Sequence, residues 1–325
     1  MQALQGLHHI TAVASDPQTN VDFYRNVLGQ RLVKTTVNFD DPYTYHLYYG
    51  DAVGSPGTVM TFFPWLGMPQ GSRGTGETEA VAYSVAPGSL GFWEKRLAGL
   101  DFPTEPLAER FGAGGIGFDD PDGMRIELIE DDRSLNFRHW EEGPISEAMA
   151  LRGFHGVTLW LHEVEPTAEL LTEQMGYEFI AEEPSPAGRR YRYKGASGDI
   201  GLYIDIVHRP QARQGRFGSG SVHHIAFRTV DDAEQAEYRT KLLAAHYPVT
   251  TVQDRQYFRS VYFRSPGGVL FEIATEAPGF AYDEPVAELG NSLKLPSWLE
   301  PQRASIENRL PDFERRPLQT IDANL

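Results

Sequence analysis

Apolar positions along this chain switch between two periods, and the switch recurs. A short, largely apolar run, LHHITAV from Leu7, gives way to a Pro-marked break. Val21, Tyr24, Val27 and Leu28 then follow, three and four residues apart. The first run reads as a strand and the second as an amphipathic helix. The succession starts again at Glu79 (EAVAYSV), Phe154 (FHGVTLW) and Val222 (VHHIAFR), at intervals of 72, 75 and 68 residues. Leu90, Trp93 and Leu97, then Leu170, Leu171 and Met175, then Ala236, Leu242 and Leu243 take the helix slot in the later units, the last match being the loosest. Each unit closes on a Gly-led strand: GTVMTFF at Gly57, GMRIELI at Gly123, GLYIDIV at Gly201 and GGVLFEI at Gly267. Turn residues such as Asp120-Pro121-Asp122 precede these closing strands.

Near-regular spacing of this kind marks a repeated module. One unit is a strand and a helix followed by about three strands, so the expected class is α+β, with four βαβββ modules in two paired-module domains. The module bounds are 1–66, 77–132, 152–209 and 221–276, with a tail over 277–325 that carries six prolines and no repeat signature. The acidic stretch from Asp131 to Arg152 reads as a linker, and Arg209 to Ser221 as a second seam.

Composition changes this picture little. With 325 residues, 41% of them hydrophobic and 23% charged, the chain is expected to fold through most of its length around more than one core. Charge excludes more. Lys and Arg number 29 against 45 Asp and Glu, a net −16 that repels phosphate backbones and anionic lipid surfaces, so neither nucleic acid nor membrane is an expected partner. Cysteine is absent, which rules out thiolate nucleophiles and cysteine metal ligands. The opening MQALQGLHHITAV has no basic flank and no uninterrupted apolar stretch, so no signal peptide or span is read there. A cytoplasmic location is the default expectation.

Three positions stand out when the units are overlaid. His9 and His224 occupy one slot of the first and fourth opening strands, and Glu272 lies in the fourth closing strand. The second and third units have Ala80 and Gly156 at the histidine slot, and the first three have Phe62, Glu127 and Asp205 at the glutamate slot. Alone, each histidine is as well explained as a hydrogen-bonded strand residue, and Glu272 as a salt-bridge partner of Arg264 or Arg125. Alternation does not decide between His8 and His9, or between His223 and His224, because both strand faces are mixed. Together, two imidazoles and one carboxylate can take one face of an octahedron and leave three positions open, as in non-heme iron oxygenases. A complete triad requires modules 1 and 4 to meet, which leaves modules 2 and 3 as a metal-free pair.

At these residues the sequence resembles the vicinal oxygen chelate superfamily, and within it the hydroquinone ring-cleaving dioxygenase branch. The stretches that carry the likeness are LHHIT, YHLYYGDAVGSPGTVMTFFP, RGFHGVTLW, HHIAF and DRQYFRSVYFRSPGGVLFEIATEAPGF. The resemblance implies paired modules forming cup-shaped barrels, Fe(II) held by His9, His224 and Glu272 (with Mn(II) as an alternative), and a pocket lined by His8, Thr11, His223, Arg255 and Tyr262. Arg259 competes for the Arg255 role. It further implies a small aromatic substrate and O2, and a homo-oligomer. The roles expected of these residues are His223 or Tyr262 as base, Arg255 as stabiliser of developing negative charge, and His8 or His223 as proton donor. Phe258, Tyr257 and Tyr262 are candidates for an aromatic wall. Two rival expectations share the modules. One is a glyoxalase-like isomerase or lyase, which takes a fourth ligand such as Glu127; the other is a non-catalytic binding protein of the bleomycin-resistance type.

Overall fold

The computed structural model describes residues 3–133, 137–196 and 200–318. Four units of one pattern follow one another. The first runs β1 (Leu7–Ala14), α1 (Pro17–Asp22) continued by a wider helical turn (Phe23–Val27), β2 (Arg31–Asn38), β3 (Asp41–Gly50) and β4 (Val59–Pro64). The second has β5 (Glu77–Val85), α2 (Leu90–Ala98), β6 (Glu105–Pro106), β7 (Gly115–Asp119) and β8 (Arg125–Glu130). The third has β9 (Phe154–Leu161), α3 (Glu165–Glu169) with its continuation (Leu170–Gln174), β10 (Glu178–Ser185), β11 (Gly188–Lys194) and β12 (Tyr203–His208). The fourth has β13 (Val222–Thr229), α4 (Asp232–Ala244), β14 (Gln253–Asp254), β15 (Arg259–Arg264) and β16 (Leu270–Thr275).

Two eight-stranded sheets result, ordered β14-β15-β16-β13-β1-β4-β3-β2 and β10-β11-β12-β9-β5-β8-β7-β6. The first and last units of the chain therefore share one sheet, joined through antiparallel β1 and β13, and the middle two share the other through β5 and β9. Each opening strand pairs in parallel with the closing strand of its own unit, which requires the helix-containing crossover between them.

The helices bury the apolar stripes that the periodicity marks, with one correction. In α4 the buried positions are Gln235, Tyr238 and Leu242, whereas Ala236 and Leu243 are exposed. A polar residue holds the core position because Gln235 Nε2 donates to both Arg259 O (2.7 Å) and Ile273 O (2.8 Å), tying the helix to the sheet beneath it. The segments that join the units run side by side, with bridges Gln70↔Ser219, Ser72↔Arg216 and Thr75↔Gln214.

From residue 277 onward the chain packs over β2. Leu295, Leu299, Ile306 and Leu310 cluster with Val37, and the buried Lys34 ammonium meets Asp283 (2.6 Å) and Glu284 (2.5 Å). Among the described residues, no helix is long and apolar enough to cross a membrane.

Candidate metal centre

Register brings the triad together. Across the β1–β13 seam Thr11 pairs with His224 and His9 with Ala226, and β16 lies parallel to β13 with Glu272 beside Ala226. All three side chains thus emerge on one face of the first sheet. His224 Nε2 lies 2.9 Å and His9 Nε2 3.3 Å from Glu272 Oε2, and the two Nε2 atoms are 3.4 Å apart. All three residues are buried. Neither Arg264 nor Arg125 pairs with Glu272: the first binds Gly268 O, and the second meets Glu105 and Asp119.

The far nitrogen of each imidazole is occupied. His9 Nδ1 lies 2.9 Å from His8 Nδ1, and His224 Nδ1 lies 2.8 Å from His223 Nδ1. Burial, then the neighbouring His9, lowers the His8 pKa to about 3; burial, then His224, does the same to His223. Both are therefore neutral and can accept at Nδ1. That arrangement lets the ligand histidines place a proton on Nδ1 and turn each Nε2 lone pair toward a metal at the centre. Burial also lowers the His224 pKa. For Glu272, burial alone would push the carboxyl up, but His9 and His224 hold it well below the usual range.

Glu272 Oε1 accepts from Ser260 Oγ, while the buried Oε2 has no hydrogen bond. An ionised oxygen left this way in a dry strand is costly unless a cation completes it. Two imidazole nitrogens and this oxygen are a donor set suited to a divalent transition metal, so the residues fit such an ion. Their donor atoms lie within 4.8 Å of one another.

Beside the triad opens a cavity of about 360 Å³. His223, Arg255, Phe258 and Tyr262 line it. Arg255 Nε donates to Tyr262 Oη at 3.1 Å, and burial keeps the Tyr262 phenol protonated. Arg259 is not in the cavity; it is half exposed and pairs with Asp232 on α4.

Three expected lining residues lie elsewhere. Alternation along β1 turns His8 away from the cavity, into contact with Phe258 and a hydrogen bond to the Thr275 backbone. Thr11 is fully buried beside His224, its hydroxyl taken up by Thr61. Tyr257 faces the tail, donating to Asp283 at 2.9 Å with Lys34 over its ring.

Sequence reasoning missed the wall that the first unit supplies. His46, Tyr48, Phe63 and Trp65 all line the cavity. Tyr48 Oη donates to His46 Nδ1 (2.8 Å), His46 Nε2 meets Thr61 Oγ1 (2.8 Å), and Thr61 donates to Thr11 (2.8 Å). Burial holds the His46 pKa well below its ordinary value. The available signal was the YHLYY run, in which His46 and Tyr48 share a strand face. Register also moves one overlay. Thr11 pairs with Thr61 as Ala226 pairs with Glu272, so the first unit's counterpart of Glu272 is Thr61 and not Phe62. A slip of one residue swaps faces.

Among the described residues, the second sheet holds no such centre. Asp205 sits between Arg190 (2.9 Å) and Arg192 (2.8 Å), and Glu127 is clasped by Arg110. Ala80 and Gly156 stand at the imidazole positions, and the remaining space, about 10 Å³, barely admits one water.

Comparison with known proteins agrees with this architecture. The family described as the Glyoxalase/Bleomycin resistance protein/Dioxygenase superfamily matches residues 6–128 and 153–273. The "Putative ring-cleaving dioxygenase MhqO" of Bacillus subtilis (strain 168) is 46% identical over 96% of this chain and 98% of its own. The chlorohydroquinone/hydroquinone 1,2-dioxygenase of Sphingobium indicum is 36% identical over 92% of this chain and 94% of its own. A crystal structure of a "putative dioxygenase" from Bacillus subtilis superposes with a TM-score of 0.91 at 44% identity, covering 98% of this chain and 100% of that one. Glyoxalase I from Zea mays, 14% identical with a TM-score of 0.61 over 83% of this chain and 92% of its own, shares the fold alone.

Proposed function

Because this chain belongs to the Glyoxalase/Bleomycin resistance protein/Dioxygenase superfamily, we propose that it is an Fe(II)-dependent ring-cleaving dioxygenase acting on hydroquinone- or catechol-type rings with O2. The observation that carries the proposal is the convergence of His9 Nε2, His224 Nε2 and the unbonded Glu272 Oε2 beside an aromatic-lined cavity that the two histidines help to line. The 36% identity to a chlorohydroquinone/hydroquinone dioxygenase supports the choice of substrate.

Iron bound there supplies open positions for a ring oxygen and for O2, together with the electronic contact between them. The chain's own groups do the rest. Phe63, Trp65 and Phe258 give the ring apolar walls. His46, kept neutral by burial, accepts at Nδ1 from Tyr48 and so fixes that phenol in the cavity wall. Tyr262 stays a hydrogen-bond donor, which makes it a partner for the ring oxygen instead of a base. The Arg255 guanidinium behind it stabilises the negative charge that develops there. His223, whose Nδ1 accepts from His224, keeps its proton on Nε2 and presents that N–H to the cavity as a hydrogen-bond donor for the developing negative charge. His8 is a positioning residue that fixes the His9 ring.

The isomerase reading needs another carboxylate at the metal. Among the described residues Glu272 is the one acidic side chain in the cluster, and Glu127 lies in the other sheet, bound to Arg110. Oxygen uptake by the anaerobically purified, iron-loaded chain against a panel of hydroquinones and catechols tests the proposal. Uptake that depends on the ring compound is expected. Zinc or nickel without uptake would favour the isomerase, and a chain that binds the ring but holds no metal would be a binding protein.

A further inference from the structure

Among the described residues lining the cavity there is one arginine, Arg255, and apart from the metal triad one carboxylate, Asp40, and they bind each other. Asp40 Oδ2 lies 3.0 Å from Arg255 Nη1. The two come from opposite ends of the first sheet, Asp40 from the β2–β3 turn and Arg255 from the loop after β14. Each is held in place. The Asp40 backbone N–H donates to Asn38 Oδ1 (3.0 Å), and the adjoining Phe39 meets Trp298 of the C-terminal tail edge-on. Arg255 is fixed by its bond to Tyr262 and lies over the Tyr262 ring.

From this pairing we infer that Asp40 is a specificity-determining residue, one that makes the pocket select rings without an anionic substituent. The inference rests on the ring-cleavage proposal for the identity of the substrate, not for the charge argument. An unpaired guanidinium inside a mostly apolar cavity is a strong site for a carboxylate on the ring, because it can hold two oxygens at once. With Asp40 in place that charge is cancelled, and a carboxylated ring must either displace Asp40 or lie beside it. An uncharged hydroquinone meets no such obstacle. Asp40 is 72% solvent-exposed on its side chain, so solvent screens its charge and the discrimination it provides is modest, up to about fivefold.

The test compares hydroquinone with 2,5-dihydroxybenzoate, the same ring bearing a carboxylate, in the iron-loaded full chain. Two readouts are taken: oxygen uptake, and binding followed by tryptophan fluorescence, since Trp65 lines the cavity. In Asp40→Asn the preference for the carboxylated ring should rise about fivefold relative to the starting chain in both readouts. Adding Arg255→Gln should remove the gain. An unchanged ratio in Asp40→Asn, or a gain that persists without Arg255, would overturn the inference. If neither ring consumes oxygen, the dioxygenase proposal fails, and the binding ratio still decides the role of Asp40.

Discussion

Beside Glu272, the neighbouring strand β15 places Tyr262, whereas at the matching position of the other half-barrel β11 places Arg192 beside Asp205. Two residues earlier the same strands carry Ser260 and Arg190. The backbone frames correspond, and so do the buried carboxylates; what differs is how each acid is neutralised. Asp205 is closed on by two guanidinium groups, while Glu272 receives one hydroxyl and faces two imidazoles. The module thus yields an ion pair or a metal-ready site according to a few strand positions. Only the carboxylate left without a protein cation is available to an external one.

Removing a ligand should break this comparison most severely. His224→Ala or Glu272→Gln is expected to abolish both metal retention and oxygen uptake, checked by metal analysis and oximetry. Next, Asp205→Ala leaves Arg190 and Arg192 buried without a counter-charge, which should lower unfolding free energy by about 3–5 kcal/mol. Metal content per folded chain should not change, and denaturant unfolding with parallel metal analysis would separate the two effects. His8→Ala should sit between structure and function, weakening metal affinity by about 10- to 100-fold while the fold persists.

Acidification sharpens the contrast in the metal-free chain. His8 and His223 have pKa values lowered to about 3, so the unfolded chain takes up protons below about 6.5 that the fold refuses. Stability contributed by these groups is present above that pH and is lost as pH falls toward 3. Asp205 has a depressed pKa, because Arg192 and Arg190 outweigh burial. Its contribution is intact above the unfolded value of about 3.9 and is lost only on passing below it. Denaturant unfolding of the metal-free chain from pH 7 to pH 4 should therefore show stability falling through His8 and His223, while the Asp205 pair still holds. The smallest effect is expected at Arg259, whose exposed pair with Asp232 should be worth no more than about 0.5 kcal/mol, with turnover unaffected by Arg259→Ala.

The repeat, and with it the α+β class, was legible because opening strands, helix stripes and Gly-led closing strands recur at near-constant spacing. Long-range contacts were harder to read. His46 and Tyr48 come from the middle of a module, where an aromatic-rich strand reads as core until its partner strand is known. Gln235 held a buried helix position through backbone carbonyls that no periodicity can register. The choice of Arg255 over Arg259 depended on which way a short loop turns, and Tyr257 was drawn away by Asp283 of a tail that carried no pattern at all.

The most direct test of this account is the number of iron atoms bound per chain after anaerobic loading, measured for the starting protein and for Glu272→Gln. One iron per chain is expected in the first and none in the second. Two irons per chain, or one that survives Glu272→Gln, would contradict it.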